Sequence, residues 1–197
     1  MNRVDKTIPN EKRRRFLSLA TGFVAGAGVV GASVPFIGSW QPSAKAKAIG
    51  APVQVNVDKI EPGAMVSVAW QGKPVFVLRR SVGILDILST AEHLSQLRDP
   101  ASDVNNQPEY AKNAARSIRP DILVVVGVCT HLGCVPEYRE NGMINVSHSL
   151  YFCPCHGSKF DLAGRVYKSV PAPTNLIVPP HHYINDSIVE IGTDKTS

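Results

Sequence analysis

The 197-residue chain has few cysteines, few charges and no basic surplus outside its N-terminus. Four cysteines are too few for a small fold built on many disulfides. A hydrophobic share of 44% and a charged share of 19% exclude a disordered chain, a collagen-like chain and a long coiled coil. Residues 1–16 hold six of the lysines and arginines beside two acidic residues, and the remainder is nearly neutral. No basic face is left to bind a phosphate backbone, so we expect no nucleic-acid partner.

Charge is absent altogether between Phe16 and Ala44. The apolar stretch 16–38 slightly exceeds the roughly 20 residues that cross a bilayer, and it predicts a transmembrane anchor. The basic run 12–15 precedes this stretch, so the positive-inside rule predicts residues 1–15 in the cytoplasm and the remainder on the exported side. The same run and the Phe-Leu pair after it are typical of a twin-arginine (Tat) signal. A signal peptide removed after export is the alternative, because small residues after the stretch offer cleavage sites.

The rest of the chain predicts a hinge followed by a mainly β head. Residues 39–50 lack apolar periodicity and predict a flexible hinge. From residue 51 to residue 197, short apolar runs alternate with turn residues, which is typical of antiparallel strands. The predicted strands are 53–57, 65–70, 74–79, 122–128, 144–146, 150–152 and 188–191, with a hairpin turn at 71–73.

Residues 84–117 interrupt this β pattern and predict a helical or irregular insert. A rough helical stripe in its first part ends at Asp99-Pro100. The histidines outside the cysteine-rich segments are expected to be structural or on the surface, namely His93, His148, His181 and His182. The arginines expected to be solvated are Arg79, Arg80, Arg116 and Arg119.

All four cysteines fall within 27 positions, in two segments that each offer two thiols and one imidazole. The segments are 129–134 (CTHLGC) and 153–158 (CPCHGS). A structural zinc ion could take any four of the six donors, and a disulfide framework could pair the cysteines in three ways. A [2Fe–2S] cluster with two thiolates on one iron and two imidazoles on the other would leave one thiol per segment for a disulfide. Such a disulfide suits an exported domain.

The two segments resemble the cluster-binding boxes of the Rieske iron–sulfur family, and the whole chain resembles the bacterial Rieske subunits of cytochrome bc1 complexes. This resemblance implies a Rieske-type antiparallel β-sandwich with a small cluster-binding subdomain at about 127–174. It implies one [2Fe–2S] Rieske cluster, and a disulfide between Cys134 and Cys155. The metal ligands that it implies are Cys129, His131, Cys153 and His156.

The resemblance also implies roles for residues around the cluster. His156 corresponds to the ligand that hydrogen-bonds the quinol and accepts its proton, and His131 is the second titrating ligand. Ser158 corresponds to a serine that donates to a cluster sulfide, and Leu132 to an apolar residue at the exposed tip. Pro171-Ala172-Pro173 resembles the loop that covers the cluster. The chain departs from many members at Phe160, where they have a tyrosine that donates to a ligand cysteine sulfur.

By the same resemblance, the chain is a respiratory oxidoreductase subunit that accepts an electron and a proton from ubiquinol and passes the electron to a c-type cytochrome. The implied partners are cytochrome b and cytochrome c1 in a dimeric complex. The implied location is the bacterial inner membrane, with a single span and a periplasmic head. Two alternatives are the small Rieske subunit of another exported enzyme, such as arsenite oxidase, and a zinc-stabilised, membrane-tethered binding module.

Overall fold

The computed structural model describes residues 10–43, 46, 50–143 and 146–194. The chain separates into two compact units, Met1–Lys47 and Ala48–Ser197. The predicted hinge at 39–50 and the predicted strand at 144–146 each lie partly outside the described residues, as does most of the predicted cytoplasmic segment 1–15.

The N-terminal unit contains one long helix, α1 (Glu11–Ser39). It begins at Asn10, whose side-chain oxygen accepts a hydrogen bond from the backbone N–H of Lys12. Its 29 residues correspond to about 43 Å. The helix starts before the predicted apolar stretch because the lysine and arginines of the basic run are themselves good helix formers. The most apolar window has a mean hydropathy of 1.7, so α1 is long and apolar enough to cross a membrane.

The second unit is mainly β, and its described residues form three antiparallel sheets of three strands each. The first sheet has the order β1-β9-β8, the second β2-β3-β4 and the third β5-β6-β7. The strands are β1 (Val53–Asn56), β2 (Met65–Trp70), β3 (Lys73–Arg79), β4 (Ile122–Val126), β5 (Glu137–Arg139), β6 (Leu150–Cys153), β7 (Ser158–Phe160), β8 (His181–Asn185) and β9 (Ile188–Ile191). The predicted fold class, a mainly β head after an apolar helix, is confirmed.

Strand β4 lies between two hydrophobic cores. Ile122, Val124 and Val126 pack with β1 and β9, whereas Leu123 and Val125 pack with side chains of β6 and β7. All five residues of β4 are buried, as the nearly continuous apolar run predicts. The second sheet therefore separates the core formed with β1 and β9 from the core that contains Cys129 and Cys153.

Turn chemistry explains two local features. Strands β2 and β3 pair from Met65–Leu78 to Trp70–Lys73, and the two loop residues Gln71 and Gly72 both have positive φ, as a type I′ turn requires. The helical stripe of the insert breaks into two helices, α2 (Val82–Leu88) and α3 (Ala91–Ser95). A new helix begins after Thr90, because the Thr90 hydroxyl accepts a hydrogen bond from the N–H of His93 and so caps the N-terminus of α3.

The expectation that the arginines are solvated is wrong for Arg80 and Arg116, which are buried. Arg80 donates to the carbonyl oxygens of Ala115 and Leu162 and to the Ser117 hydroxyl. Arg116 donates to backbone and side-chain oxygens of four further residues. The terminal guanidinium nitrogens of both arginines are paired, whereas their buried Nε atoms have no partner among the described residues. Pairing lowers the cost of burying a guanidinium, and a one-dimensional pattern does not reveal such partners. Short 3₁₀ helices at Val57–Lys59 and Glu109–Ala111 complete the head.

Candidate metal centre

The two cysteine-rich segments form two loops of similar construction. The first loop follows β4. Two backbone hydrogen bonds close it, because Cys129 N–H donates to Cys134 O and Gly133 N–H donates to Cys129 O. The second joins β6 to β7, and Gly157 N–H donates to Cys153 O. Both glycines have positive φ, 86° and 77°, a conformation that other residues adopt only with strain. Glycine at these two positions therefore lets each loop fold back on its first cysteine.

A disulfide joins the two loops. Cys134 and Cys155 are bonded, with their Cα atoms 6.6 Å apart. Cys129 and Cys153 are free and buried, with 2% and 1% exposure. The sulfur of Cys153 lies within 4.8 Å of both disulfide sulfurs, but these two are already bonded to each other. The disulfide predicted by the resemblance is thus present, and one thiol of each loop remains available as a ligand.

The two loop histidines lie side by side. The ring centroids of His131 and His156 are 4.8 Å apart, and the rings are almost perpendicular. His156 is exposed, whereas His131 is half-buried. The Nδ1 atom of His131 is buried without a hydrogen-bond partner among the described residues. A buried ring nitrogen without a partner is a group that a metal ion would satisfy.

These four side chains fit a metal cluster with mixed ligands. Burial raises the pKa of the Cys153 thiol, and its hydrogen bond with Cys129 raises it further. The thiolate is the form that binds a metal ion, so a bound cation would offset the cost of ionising the buried Cys153 thiol. Two thiolates and two imidazoles are the ligand set of a Rieske [2Fe–2S] cluster.

A third loop, residues 170–174, lies against both cysteine-rich loops. The fully buried Ser158 hydroxyl accepts a hydrogen bond of 3.0 Å from the N–H of Ala172, which leaves its own proton free to donate. Thr130 on the first loop donates to the Thr174 carbonyl at 2.7 Å. Pro171 and Pro173 are exposed on either side of the buried Ala172. The three loops are therefore held together by hydrogen bonds as well as by the disulfide.

The tip of the first loop is apolar and exposed. Leu132 is 71% exposed, although it is a large hydrophobic residue between His131 and Gly133. Val135, just beyond the loop, is also exposed. Exposed hydrophobic side chains beside reactive groups are typical of an interaction site.

A buried ion pair that the sequence patterns do not indicate begins directly after β7 of the third sheet. Asp161 is fully buried and accepts hydrogen bonds from Arg165 Nε at 2.7 Å and His93 Nε2 at 3.0 Å. Burial alone would raise the pKa of Asp161, but the hydrogen bond from His93 and the charge of Arg165 together lower it. Its other oxygen accepts the N–H groups of Ala163 and Arg165. An aspartate just before Leu-Ala-Gly is a turn signal that points to this role.

The β head and the site with two cysteines and two histidines define a Rieske iron–sulfur protein. In agreement, the family model described as "Rieske [2Fe-2S] domain" matches residues 51–180. The family model described as "Ubiquitinol-cytochrome C reductase Fe-S subunit TAT signal" matches residues 5–43. The chain therefore belongs to the family of ubiquinol–cytochrome c reductase iron–sulfur subunits, and its cofactor is a Rieske [2Fe–2S] cluster.

Individual relatives agree with this family. The chain is 50% identical to the ubiquinol-cytochrome c reductase iron-sulfur subunit of Allochromatium vinosum over 192 residues, which is 95% of this chain and 92% of the relative. It is 41% identical to the subunit of the same name from Rhodospirillum rubrum over 91% of each chain. A solved structure titled "Hyperthermophilic respiratory Complex III" is similar with a TM-score of 0.50 and 26% identity, covering 87% of this chain and 98% of that chain.

Proposed function

We propose that this iron–sulfur subunit of a quinol–cytochrome c oxidoreductase accepts an electron and a proton from ubiquinol and delivers the electron to a c-type cytochrome. One observation carries the proposal: two buried free thiols and two adjacent imidazoles converge where an apolar, exposed tip meets solvent. A cluster held by two thiolates and two imidazoles is a one-electron acceptor at about −150 to +300 mV, well above clusters with only cysteine ligands.

Each of the four ligands has a distinct part in this proposal. Cys129 and Cys153 would hold the inner iron, and both thiols are buried away from water. His131 and His156 would hold the outer iron; His131 is half-buried and His156 is exposed. A quinol hydroxyl that approaches the tip meets the exposed His156 ring, which accepts its hydrogen bond and then its proton at the ring nitrogen that faces solvent. Leu132 supplies the apolar surface against which the quinol ring packs.

The residues behind the tip position the ligands. The Ser158 hydroxyl oxygen accepts a hydrogen bond from Ala172 N–H, so the hydroxyl proton can donate to the cluster. Pro171 and Pro173 cover the side of the site that the two cysteine-rich loops leave open. The Cys134–Cys155 disulfide prevents the loops from separating when the ligands change charge.

We assign the remainder of the chain to placement in the membrane. Residues 1–15 form a cytoplasmic segment with a Tat signal, 16–38 the membrane anchor, 39–50 the hinge and 51–197 the head, with the cluster-binding subdomain at about 127–174. The apolar helix α1 and the family membership support a membrane anchor. The proposed location is the inner membrane of a bacterium with the head in the periplasm. The proposed partners are cytochrome b and cytochrome c1, in a dimeric complex.

A redox titration of the purified, full-length chain over a range of pH tests this function. We expect a midpoint potential that is level at acidic pH and falls by about 59 mV per pH unit once a ligand histidine of the oxidised form deprotonates. His156→Ala should abolish the electron paramagnetic resonance signal of the reduced cluster. His182→Ala, a control that changes a half-buried histidine outside the loops, should leave the titration curve unaltered. A colourless protein, or a midpoint that stays level into alkaline pH, would exclude the proposal and favour the zinc-stabilised module.

A further inference from the structure

A second group of histidines lies outside the cysteine-rich loops. His93, on α3, is 2% exposed, and its Nε2 atom is 3.0 Å from the carboxylate of Asp161. Because an ionised carboxylate can only accept, Nε2 carries a proton, and in the neutral tautomer that this contact selects Nδ1 carries the lone pair. That Nδ1 atom is buried and has no hydrogen-bond partner in the described part of the chain. Asp161 thus sets the tautomer of His93 and leaves its other nitrogen free to act as a ligand.

His148 stands next to His93. The two ring centroids are 5.1 Å apart at an interplanar angle of 73°, and His148 Nε2 is 2.9 Å from the hydroxyl of Tyr167. When Nε2 donates to this hydroxyl, Nδ1 of His148 also carries a lone pair. Burial lowers the pKa of His148, so the ring is neutral at physiological pH. A neutral imidazole is the form that binds metal ions.

Both rings line a surface cavity of about 380 Å³. Its other lining residues include Glu92, which adjoins His93 on α3, and Ser147, which precedes His148. The cavity is therefore open to solvent, polar in part and large enough for an ion with bound water. It is formed by the insert and by the segment that leads into β6, not by the 129–134 and 153–158 loops.

We propose that His93 and His148 bind a zinc ion in this cavity through their Nδ1 atoms. Zn–N distances of about 2.1 Å in tetrahedral geometry place two ligand rings with their centroids about 5 Å apart, which is the spacing of this pair. Zinc-bound histidines donate their other N–H to a carboxylate or another acceptor, as His93 does to Asp161. Water completes the coordination, and the Glu92 carboxylate offers a third protein ligand after a change of rotamer. The ion would link α3 to the segment before β6.

Zinc binding to the full-length, cluster-loaded chain in detergent tests this proposal. Isothermal titration calorimetry with zinc chloride should give one saturable site per chain. His93→Gln keeps an N–H donor for Asp161 but removes the Nδ1 ligand, and His148→Gln does the same next to Tyr167. Each variant should bind zinc at least tenfold more weakly, while His182→Gln should bind as the wild type does. Visible absorbance of the cluster shows that each variant is folded. If His93→Gln does not fold, the half-buried His148→Gln carries the test.

Absorption spectroscopy at the zinc edge separates this site from the iron centre, because the resident cluster contains no zinc. The spectrum should contain nitrogen and oxygen neighbours at about 2.0–2.1 Å, with the scattering pattern of two imidazoles and no sulfur. The absence of saturable binding would overturn the proposal. Equal affinity in the wild type and in both glutamine variants would overturn it as well, as would a sulfur neighbour.

Discussion

Replacing Phe160 by tyrosine adds one hydroxyl group to the face of the third sheet that carries Cys153. Phe160 is fully buried, two positions after Ser158 on β7, and Ser158 is paired with Cys153 on β6. Because alternate residues of a strand share a face, all three side chains are on one side of the sheet. Phe160 also packs in the same hydrophobic core as Cys129 and Cys153. We therefore expect the new hydroxyl to donate to the sulfur of a proposed cysteine ligand, as the resemblance to the Rieske family implies for a tyrosine at this position.

The size of the effect follows from the energy of one hydrogen bond. A hydrogen bond contributes about 0.5–1.5 kcal/mol net, and it is stronger when the acceptor carries more negative charge. The reduced cluster is more negative, so the bond favours reduction. For one electron, a tenfold change in the equilibrium constant equals about 59 mV or about 1.4 kcal/mol. Only the difference in hydrogen-bond energy between the reduced and oxidised forms shifts the potential, so we expect Phe160→Tyr to raise the midpoint potential by up to about 65 mV.

Redox titration by electron paramagnetic resonance measures this shift, and thermal unfolding provides a second measurement. A buried hydroxyl that finds an acceptor leaves stability nearly unchanged, whereas an unpaired one costs about 1–3 kcal/mol. Phe152→Tyr is the matched control, because Phe152 is half-buried on the other face of β6 and should leave the midpoint unchanged. An intact cluster spectrum in Phe160→Tyr without a rise in midpoint would refute the reasoning.

Three further substitutions test the supports of the site. Cys134→Ser opens a disulfide between residues 21 apart in sequence, and we expect a loss of about 3 kcal/mol together with cluster loss at a lower temperature, followed by visible circular dichroism on heating. Asp161→Asn leaves the buried Arg165 without its counter-charge and should cost about 3–5 kcal/mol in urea unfolding at pH 7. Because the pKa of Asp161 is lowered by folding, this contribution is present above about pH 4 and is lost as pH falls further, so wild type and variant should converge in acid. Ser158→Ala should lower the midpoint potential and cost about 1–3 kcal/mol, because a buried N–H loses its acceptor.

Each of these three predictions has a contrary outcome. An unchanged melting temperature after Cys134→Ser would mean that the remaining hydrogen bonds alone hold the loops together. A constant difference in stability between wild type and Asp161→Asn from pH 7 to pH 3 would show that the ion pair is not the source of the loss. A midpoint unaffected by Ser158→Ala would remove the hydroxyl from the environment of the cluster.

Local patterns predicted the parts of the fold that depend on local chemistry. The Gln71-Gly72 turn, the buried strand β4 and the two cysteine-rich loops were all predictable from residue type and spacing. Strands β5, β7 and β8 were missed. Strands β5 and β7 have three residues, too few to show a period, and β8 (His181–Asn185) has no alternation of apolar and polar residues. The burial of Arg80 and Arg116 was missed for another reason. Their acceptors are mainly backbone carbonyls brought near by tertiary packing, for which sequence has no marker.

The burial of both faces of β4 limits the motion of the first cysteine-rich loop, residues 129–134. Val126 ends the strand, and Cys129 follows only three residues later. Core strands of this kind have the highest opening free energies in a domain, up to that of global unfolding. Strand β4 therefore gives the loop a rigid support. The proposed ligands Cys129 and His131, which follow it, move together with the head and not independently of it.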